Sequence, residues 1–428
     1  MIAFLFIFLL LGVPVGIAFS LAILVRAEDW SVSLEFVAQT TLDALLNYPF
    51  LAIPLFILSG ELMSRGGITR QLVRFSTRIF VWSQAAMGHV MILASAIMGA
   101  ITGSSVAAVA AIGRAIGPEM LKRGYQPGYV GALNASSGLL GVLLPPSIPL
   151  ILYGSAVGVS ITTLFLATLV PGLLFAVAFM LVHALRARHV LEGAREAVVE
   201  GEGEGGRNGG GGLSLVAALF MPVLVLGGIY SGLLTPTEAA SVAALYALFY
   251  AILNRSVRMT EHGDAFVKAA ASGAAIMFII GFTTVFNRAL VLEQIPQQIT
   301  ALSTAYIDNP LVFLLAANLV LLLVGMFMET SAATLLMGPL LAPAAVQYGI
   351  DPVHFGIILV INIEIGLLTP PLAANLYVAA LVNKIPLIPL VRQLAWFLGA
   401  CLVCLALVTY VPQIALWYEF LPGSRSGS

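Results

Sequence analysis

Long apolar runs dominate the chain: Met1 to Val25, Leu42 to Met63, Ile161 to Leu185, Leu213 to Tyr230 and Gln393 to Leu416. Each approaches or exceeds the about 20 residues that carry an α-helix across the hydrocarbon of a bilayer. They are continuously apolar rather than alternating, so they predict spanning helices and not barrel strands. Shorter polar or proline-containing stretches interrupt other greasy segments: ITGSSVAAVAAIG at Ile101 to Gly113, LLPPS at Leu143 to Ser147, and LLTPP at Leu367 to Pro371. A different interruption, EGEGEGGRNGGGG at Glu200 to Gly212, has the composition of a flexible linker, expected over residues 187–212.

The two proline pairs reveal a repeat. Pro145 and Pro370 are separated by 225 positions, and sliding the chain by that amount without a gap superposes many backbone-determining residues. Gly113 falls on Gly338, Pro118 on Pro343, Gly124 on Gly349, Pro127 on Pro352, Gly131 on Gly356 and Gly141 on Gly366. Shared Gly and Pro positions mean shared bends, so the chain reads as a duplicated unit. The same register places Thr102 to Ser105 on Phe327 to Thr330, with Ser331 next.

Charge placement orients the two copies. The segment Met63 to Gln84 carries Arg65, Arg70, Arg74 and Arg78, whereas Arg288 to Asn309 sets one Arg against Glu293 and Asp308. By the positive-inside rule the first arm is cytoplasmic and the second external, which makes the repeats inverted. The expected organisation is a first repeat over 1–186, the linker over 187–212, a connecting span over 213–231, a second repeat over 232–420 and a tail over 421–428. Re-entrant hairpins are expected at about 86–122 and 311–347, and broken helices at about 128–153 and 353–381. The N-terminus is expected in the cytoplasm and the C-terminus outside in this multi-pass membrane protein. Arg65, Arg70, Arg74 and Arg78 are expected to anchor an amphipathic helix at the cytoplasmic headgroups, among the membrane lipids, rather than to bind substrate.

Composition changes this picture little. With 428 residues, 60% hydrophobic and 9% charged positions, the chain lies far from a soluble domain. A net charge of −1 gives nucleic acid no electrostatic footprint. No GK[ST] loop is present, which argues against an ATP-powered pump. Cys401 and Cys404 sit in an apolar helix and read as packing residues. The five histidines lack metal spacing, and no HExxH or nucleophile–base pair points to catalysis, so no enzyme and no resident cofactor is expected.

The candidate chemistry lies where the repeats are polar. A hairpin tip at membrane depth is tolerated only where protein, water or a ligand meets its backbone. Helix N-termini carry partial positive charge, while hydroxyls and freed carbonyls suit a small hard cation. The candidate substrate- and ion-binding residues are therefore Thr102, Gly103, Ser104 and Ser105 at one tip and Glu329, Thr330 and Ser331 at the other. Opposite them stand Asn134, Pro145, Pro146 and Ser147 in the first broken helix, and Glu364, Thr369, Pro370, Pro371 and Asn375 in the second. Na+ is expected near Ser104, Ser105 and Pro145, and again near Glu329, Thr330, Thr369 and Pro370. One such site alone is better read as helix packing or a kink. Two in register favour function, and Glu329 and Glu364 are costly acids within the membrane.

The stretches GHVMILASAIMGAITGSSVAAVAAIG, PEMLKRGY, LLPPSIPLILYG, GGIYSGLLTPTEAAS, GIDPVHFG and EIGLLTPPLAANLYV resemble the large, DctM-like membrane subunit of tripartite ATP-independent periplasmic (TRAP) transporters. The resemblance runs from Leu10 to the last span. It implies a secondary transporter for an organic acid such as a C4-dicarboxylate or sialic acid, coupled to Na+ and moving like an elevator. It also implies a bacterial inner-membrane location with the C-terminus in the periplasm, and two partners, a periplasmic solute-binding protein and a small four-helix membrane subunit. The Gly- and Glu-rich insert looks longer than the family's usual loop. The rival reading is a stand-alone Na+-coupled carboxylate symporter of the divalent-anion type; a non-transporting scaffold has no use for two polar tips. No Arg is expected at the substrate carboxylate, which helix N-termini and hydroxyls would hold.

Overall fold

The computed structural model describes residues 2–25, 33–80, 86–190, 212–253 and 259–420. Among these, every regular element is a helix. Five helices are long and apolar enough to span a bilayer: 161–187, 236–253, 263–292, 310–327 and 387–410. Large apolar side chains such as Leu173, Leu181, Phe249, Leu319 and Leu323 remain exposed along them, as lipid-facing surface requires. Of the linker expected over 187–212, residues 187–190 continue the helix from Leu169 and Gly212 begins the next, while 191–211, the tail 421–428, and Asn254 and Arg255 lie outside the described residues.

Element order repeats itself. A helical segment breaks or runs through Leu34–Arg65 in the first half and Met259–Leu292 in the second. A short amphipathic helix follows, Ile68–Ile79 and Ile295–Tyr306. Next come two hairpins: Ala86–Thr102 with Ser105–Lys122, and Pro310–Phe327 with Thr330–Gln347. The broken helices are Pro127–Leu143 with Ile148–Val157, bent by 42°, and Pro352–Gly366 with Ala374–Asn383. Each half closes on a long apolar helix, Leu169–Val190 or Leu387–Tyr410.

Two apolar runs behave differently from their expected uninterrupted spans. Met1 to Val25 is split into Ile2–Leu10 and Val15–Leu24, because Gly12 takes φ +80° and Pro14 opens the second helix. Leu42 to Met63 contains a 62° bend between Glu35–Leu45 and Tyr48–Arg65. Asn47 there is extended ahead of a 3-10 turn that carries Pro49 in its first turn, and proline cannot supply the donor that would continue the helix.

The core divides into a framework and a hairpin-bearing body. Helix Ala52–Arg65 packs on Pro236–Leu253 and on Met259–Leu292, which also receives Val15–Leu24 and Leu34–Leu45. In the other body the halves interlock. Ala374–Asn383 packs on the returning limb of the first hairpin, and Ile148–Val157 on that of the second. The Tyr153 hydroxyl donates to the Pro352 carbonyl at 2.7 Å across that seam.

Glycine makes the hairpins fit. Gly99 of the first entering limb lies against Gly141, and Gly325 of the second against Gly366, so closely that a Cβ on Gly366 would fall 2.6 Å from the Gly325 Cα. A further equivalence ties each broken helix to its closing helix. The Tyr129 hydroxyl bonds His183 Nδ1 at 2.8 Å, and His354 Nε2 bonds the Val408 carbonyl at 2.8 Å. Tyr129 and His354 occupy the same repeat position, as do His183 and Val408.

Candidate transport site

The two hairpin tips are built on one plan. Ser104 is the N-cap of Ser105–Lys122, and its hydroxyl accepts from the Ala107 N–H at 3.4 Å. Glu329, its equivalent, is the N-cap of Thr330–Gln347 and accepts from the Ser331 N–H at 2.9 Å and the Ala332 N–H at 3.3 Å. Both residues have the extended backbone of an N-cap, and each satisfies donors that the helix start leaves free. The Ser331 hydroxyl donates to Glu329 Oε1 at 2.9 Å. Thr102 turns inward and donates to the Met98 carbonyl at 3.1 Å.

Each tip is stitched to the proline break facing it. The Gly103 carbonyl accepts from the Ile148 N–H at 3.4 Å, and the Met326 carbonyl from the Leu372 N–H at 3.0 Å. Gly103 has φ +63°, and a Cβ there would stand 2.8 Å from the Pro146 carbonyl oxygen. Its equivalent, Met328, is extended. Pro145–Pro146 and Pro370–Pro371 are both joined by cis peptide bonds. At the first break one freed carbonyl is already occupied, since the Thr168 hydroxyl donates to the Leu143 oxygen at 2.9 Å.

Beneath the tips lie buried polar groups. Ser147 and Asn375 are fully buried, and neither the Ser147 hydroxyl nor either amide atom of Asn375 has a hydrogen-bond partner. Thr369 donates weakly to the Ile365 carbonyl at 3.4 Å. Glu364 is fully buried and accepts from the Thr330 hydroxyl at 2.8 Å. Asn134 is placed apart from the tip; its Nδ2 donates to the Val109 carbonyl at 3.2 Å, partway down the returning limb. Ser136 and Ser137, absent from the residues anticipated, are also fully buried without partners. Their only sequence signal is a Ser pair in an apolar helix.

Cavities lie between framework and hairpin body. One, about 360 Å³, is lined by Thr102, Ser104 and Ile148 on one wall and Gly60, Glu61 and Ser272 on the other. It shares Ser64, Ala111 and Arg114 with a second cavity of about 530 Å³ that carries Arg65 and Arg70. A third, about 570 Å³, lies at the other hairpin and is lined by Asn287, Arg288, Leu335 and Pro339. Asn287 Nδ2 donates to the Leu335 carbonyl at 2.7 Å, a direct bond from framework to hairpin. Arg288 lines this cavity and reaches Thr40 Oγ1 at 3.4 Å.

Hydroxyls, free carbonyls and carboxylates are the ligands hard cations take, and paired helix N-termini favour anions. The two tips and the proline breaks facing them bring groups of both kinds together in each half.

The model of the DctM component of the tripartite ATP-independent periplasmic transporters matches residues 2–414. The chain belongs to this family. It is 37% identical over 402 residues to the C4-dicarboxylate TRAP transporter large permease protein DctM of Pseudomonas aeruginosa, covering 94% of this chain and 92% of that one. It is 35% identical over 422 residues to the sialic acid TRAP transporter large permease protein SiaM of Vibrio cholerae, covering 95% and 94%. The isethionate TRAP transporter permease protein DctMQ of Oleidesulfovibrio alaskensis is 34% identical over 424 residues, which span 96% of this chain and 64% of that longer protein. Among solved structures, the YdaH transporter of Alcanivorax borkumensis, reported to have an unusual topology, matches with a TM-score of 0.67 at 14% identity, covering 90% and 87%. That likeness concerns the fold.

Proposed function

We propose that this TRAP permease imports an organic acid, a carboxylate or a comparably sized sulfonate, handed over by a periplasmic solute-binding protein and driven by a Na+ gradient. Its working unit includes a small four-helix membrane subunit. The body holding both hairpins moves across the bilayer against the framework helices, with the first hairpin towards the cytoplasm and the second towards the periplasm. Na+ binds near Ser104, Ser105 and Pro145, and near Glu329, Thr330, Thr369 and Pro370. The organic anion is held by the helix N-termini and hydroxyls between them, with Asn375 and Ser147 supplying buried polar atoms.

The single observation that carries this reading is the equivalence of Ser104 and Glu329: two N-caps in register, each facing a proline-broken helix. Packing alone gives no reason to build that twice. The named relatives carry C4-dicarboxylate, sialic acid and isethionate, which supports an organic anion as the substrate.

The test is uptake into proteoliposomes containing this chain and its small subunit, over labelled C4-dicarboxylates, sialic acid and isethionate. Uptake that needs both an inward Na+ gradient and the binding protein is the expected result. Uptake with Na+ alone would replace this reading with the stand-alone symporter.

A further inference from the structure

Arg65, Arg70 and Arg114 line one cavity of about 530 Å³, together with Ser64 and Thr69. Arg65 ends helix Ala52–Arg65, Arg70 lies in the first turn of Ile68–Ile79, and Arg114 stands midway along the returning limb of the first hairpin. Framework, amphipathic helix and hairpin body thus contribute one guanidinium each. In the repeat register their equivalents are Leu290, Ile295 and Pro339, so the duplicated architecture requires a cation at none of the three positions.

The protein does not balance the charge gathered here. Glu61 holds Arg65 through Nε at 2.8 Å, whereas Arg70 and Arg114 make no ion pair among the described residues. Arg70 also sits at a helix start, where the macrodipole is positive and a cation is unfavourable. The N-cap there is Gly67, which offers no side chain to the first-turn N–H groups. Like charges around one cavity repel, and an anion between them turns that repulsion into attraction. A planar carboxylate has two oxygens and is satisfied by one guanidinium fork, whereas a tetrahedral phosphate presents oxygens in enough directions to meet three guanidiniums that come from three elements.

We propose that this cavity is a binding site for a phosphate group, separate from the hairpin tips, and that filling it ties the framework to the first hairpin. On the positive-inside reading it opens towards the cytoplasm, where the group comes from free phosphate or from the headgroup of an anionic phospholipid. Binding does not depend on the transport reading. Only its consequence does: Arg114 must release the phosphate before the hairpin body moves.

The test is calorimetric titration of the full chain in neutral detergent at constant ionic strength, with two separate probes, inorganic phosphate and a phosphatidylglycerol short enough to stay in solution. Saturable binding of at least one probe is expected, and the tighter one names the source. Arg70→Gln and Arg114→Gln are each expected to weaken it by about tenfold, the loss of one charge-assisted contact. Arg74→Gln makes the same charge change on the same helix outside the cavity and is expected to bind like wild type. All three side chains are exposed, so folding is not at stake. Absence of saturable binding for both probes overturns the proposal. So does an equal loss in Arg74→Gln, which would reduce the attraction to diffuse surface charge. Competition by a C4-dicarboxylate as strong as that by phosphate also overturns it, since the cavity would then select an organic acid.

Discussion

The two hairpin tips share a backbone plan and differ in chemistry. At the first, a neutral Ser104 caps the helix, and Gly103 takes a left-handed turn against the Pro146 carbonyl. At the second, Glu329 caps with a carboxylate, and Met328 is extended. Duplication preserved what the helix start demands, a side-chain cap and a contact to a proline break. It left charge and turn geometry free to diverge. The first tip is thus specified by backbone shape and the second by electrostatics, and substitutions at equivalent positions separate the two.

The widest separation is expected between Gly103→Ala and Met328→Leu. The alanine Cβ meets the Pro146 oxygen and adds strain of about 1–3 kcal/mol for a left-handed residue, so uptake falls to background. The leucine conserves volume and costs less than about 1.5 kcal/mol, leaving uptake measurable. Similar losses at both positions would show that turn shape is not what distinguishes the tips.

Next in size, Glu329→Gln removes the carboxylate proposed to bind Na+, and a loss of about 1.4 kcal/mol raises the Na+ half-saturation about tenfold. Ser104→Ala removes one capping hydroxyl, worth about 1 kcal/mol, and raises it a few-fold. Titration of uptake against Na+ checks both, and equal shifts would argue against a charge-based difference. Asn287→Ala removes the bond from the framework to the second hairpin. With about 1 kcal/mol at stake, the equilibrium between inward- and outward-open forms shifts by about fivefold, measurable from the accessibility of single cysteines lining the cavity at Arg288. The smallest effect is expected at the matched ties, where Tyr129→Phe removes the bond to His183 and lowers stability by about 1 kcal/mol, read as a small drop in melting temperature.

Much of this arrangement was legible in the chain because Gly and Pro record backbone geometry locally. Gly141 on Gly366 and Pro145 on Pro370 fixed a register in which helices 105–122 and 330–347 begin and end together. The bend at Asn47 has only Asn47 and Pro49 to mark it in a run otherwise apolar enough to read as one span. Contacts between halves had no signature at all. Tyr153 reaching Pro352, and Ser105 meeting Glu364 beside Thr330, depend on how two separately readable units dock. Asn134 illustrates the same limit: its polarity marked it for the tip, whereas the structure spends it on the Val109 carbonyl beside Gly113.

Relative motion of the two bodies is the central claim, and a reversible clamp tests it most directly. Asn287 and Leu335 touch across the boundary, so Asn287→Cys with Leu335→Cys, in a chain whose buried Cys401 and Cys404 are replaced by Ala, joins framework to hairpin on oxidation. Uptake is expected to stop when the pair is oxidised and to return on reduction. Undiminished uptake with the disulfide complete would show that transport proceeds without the hairpin body sliding past the framework.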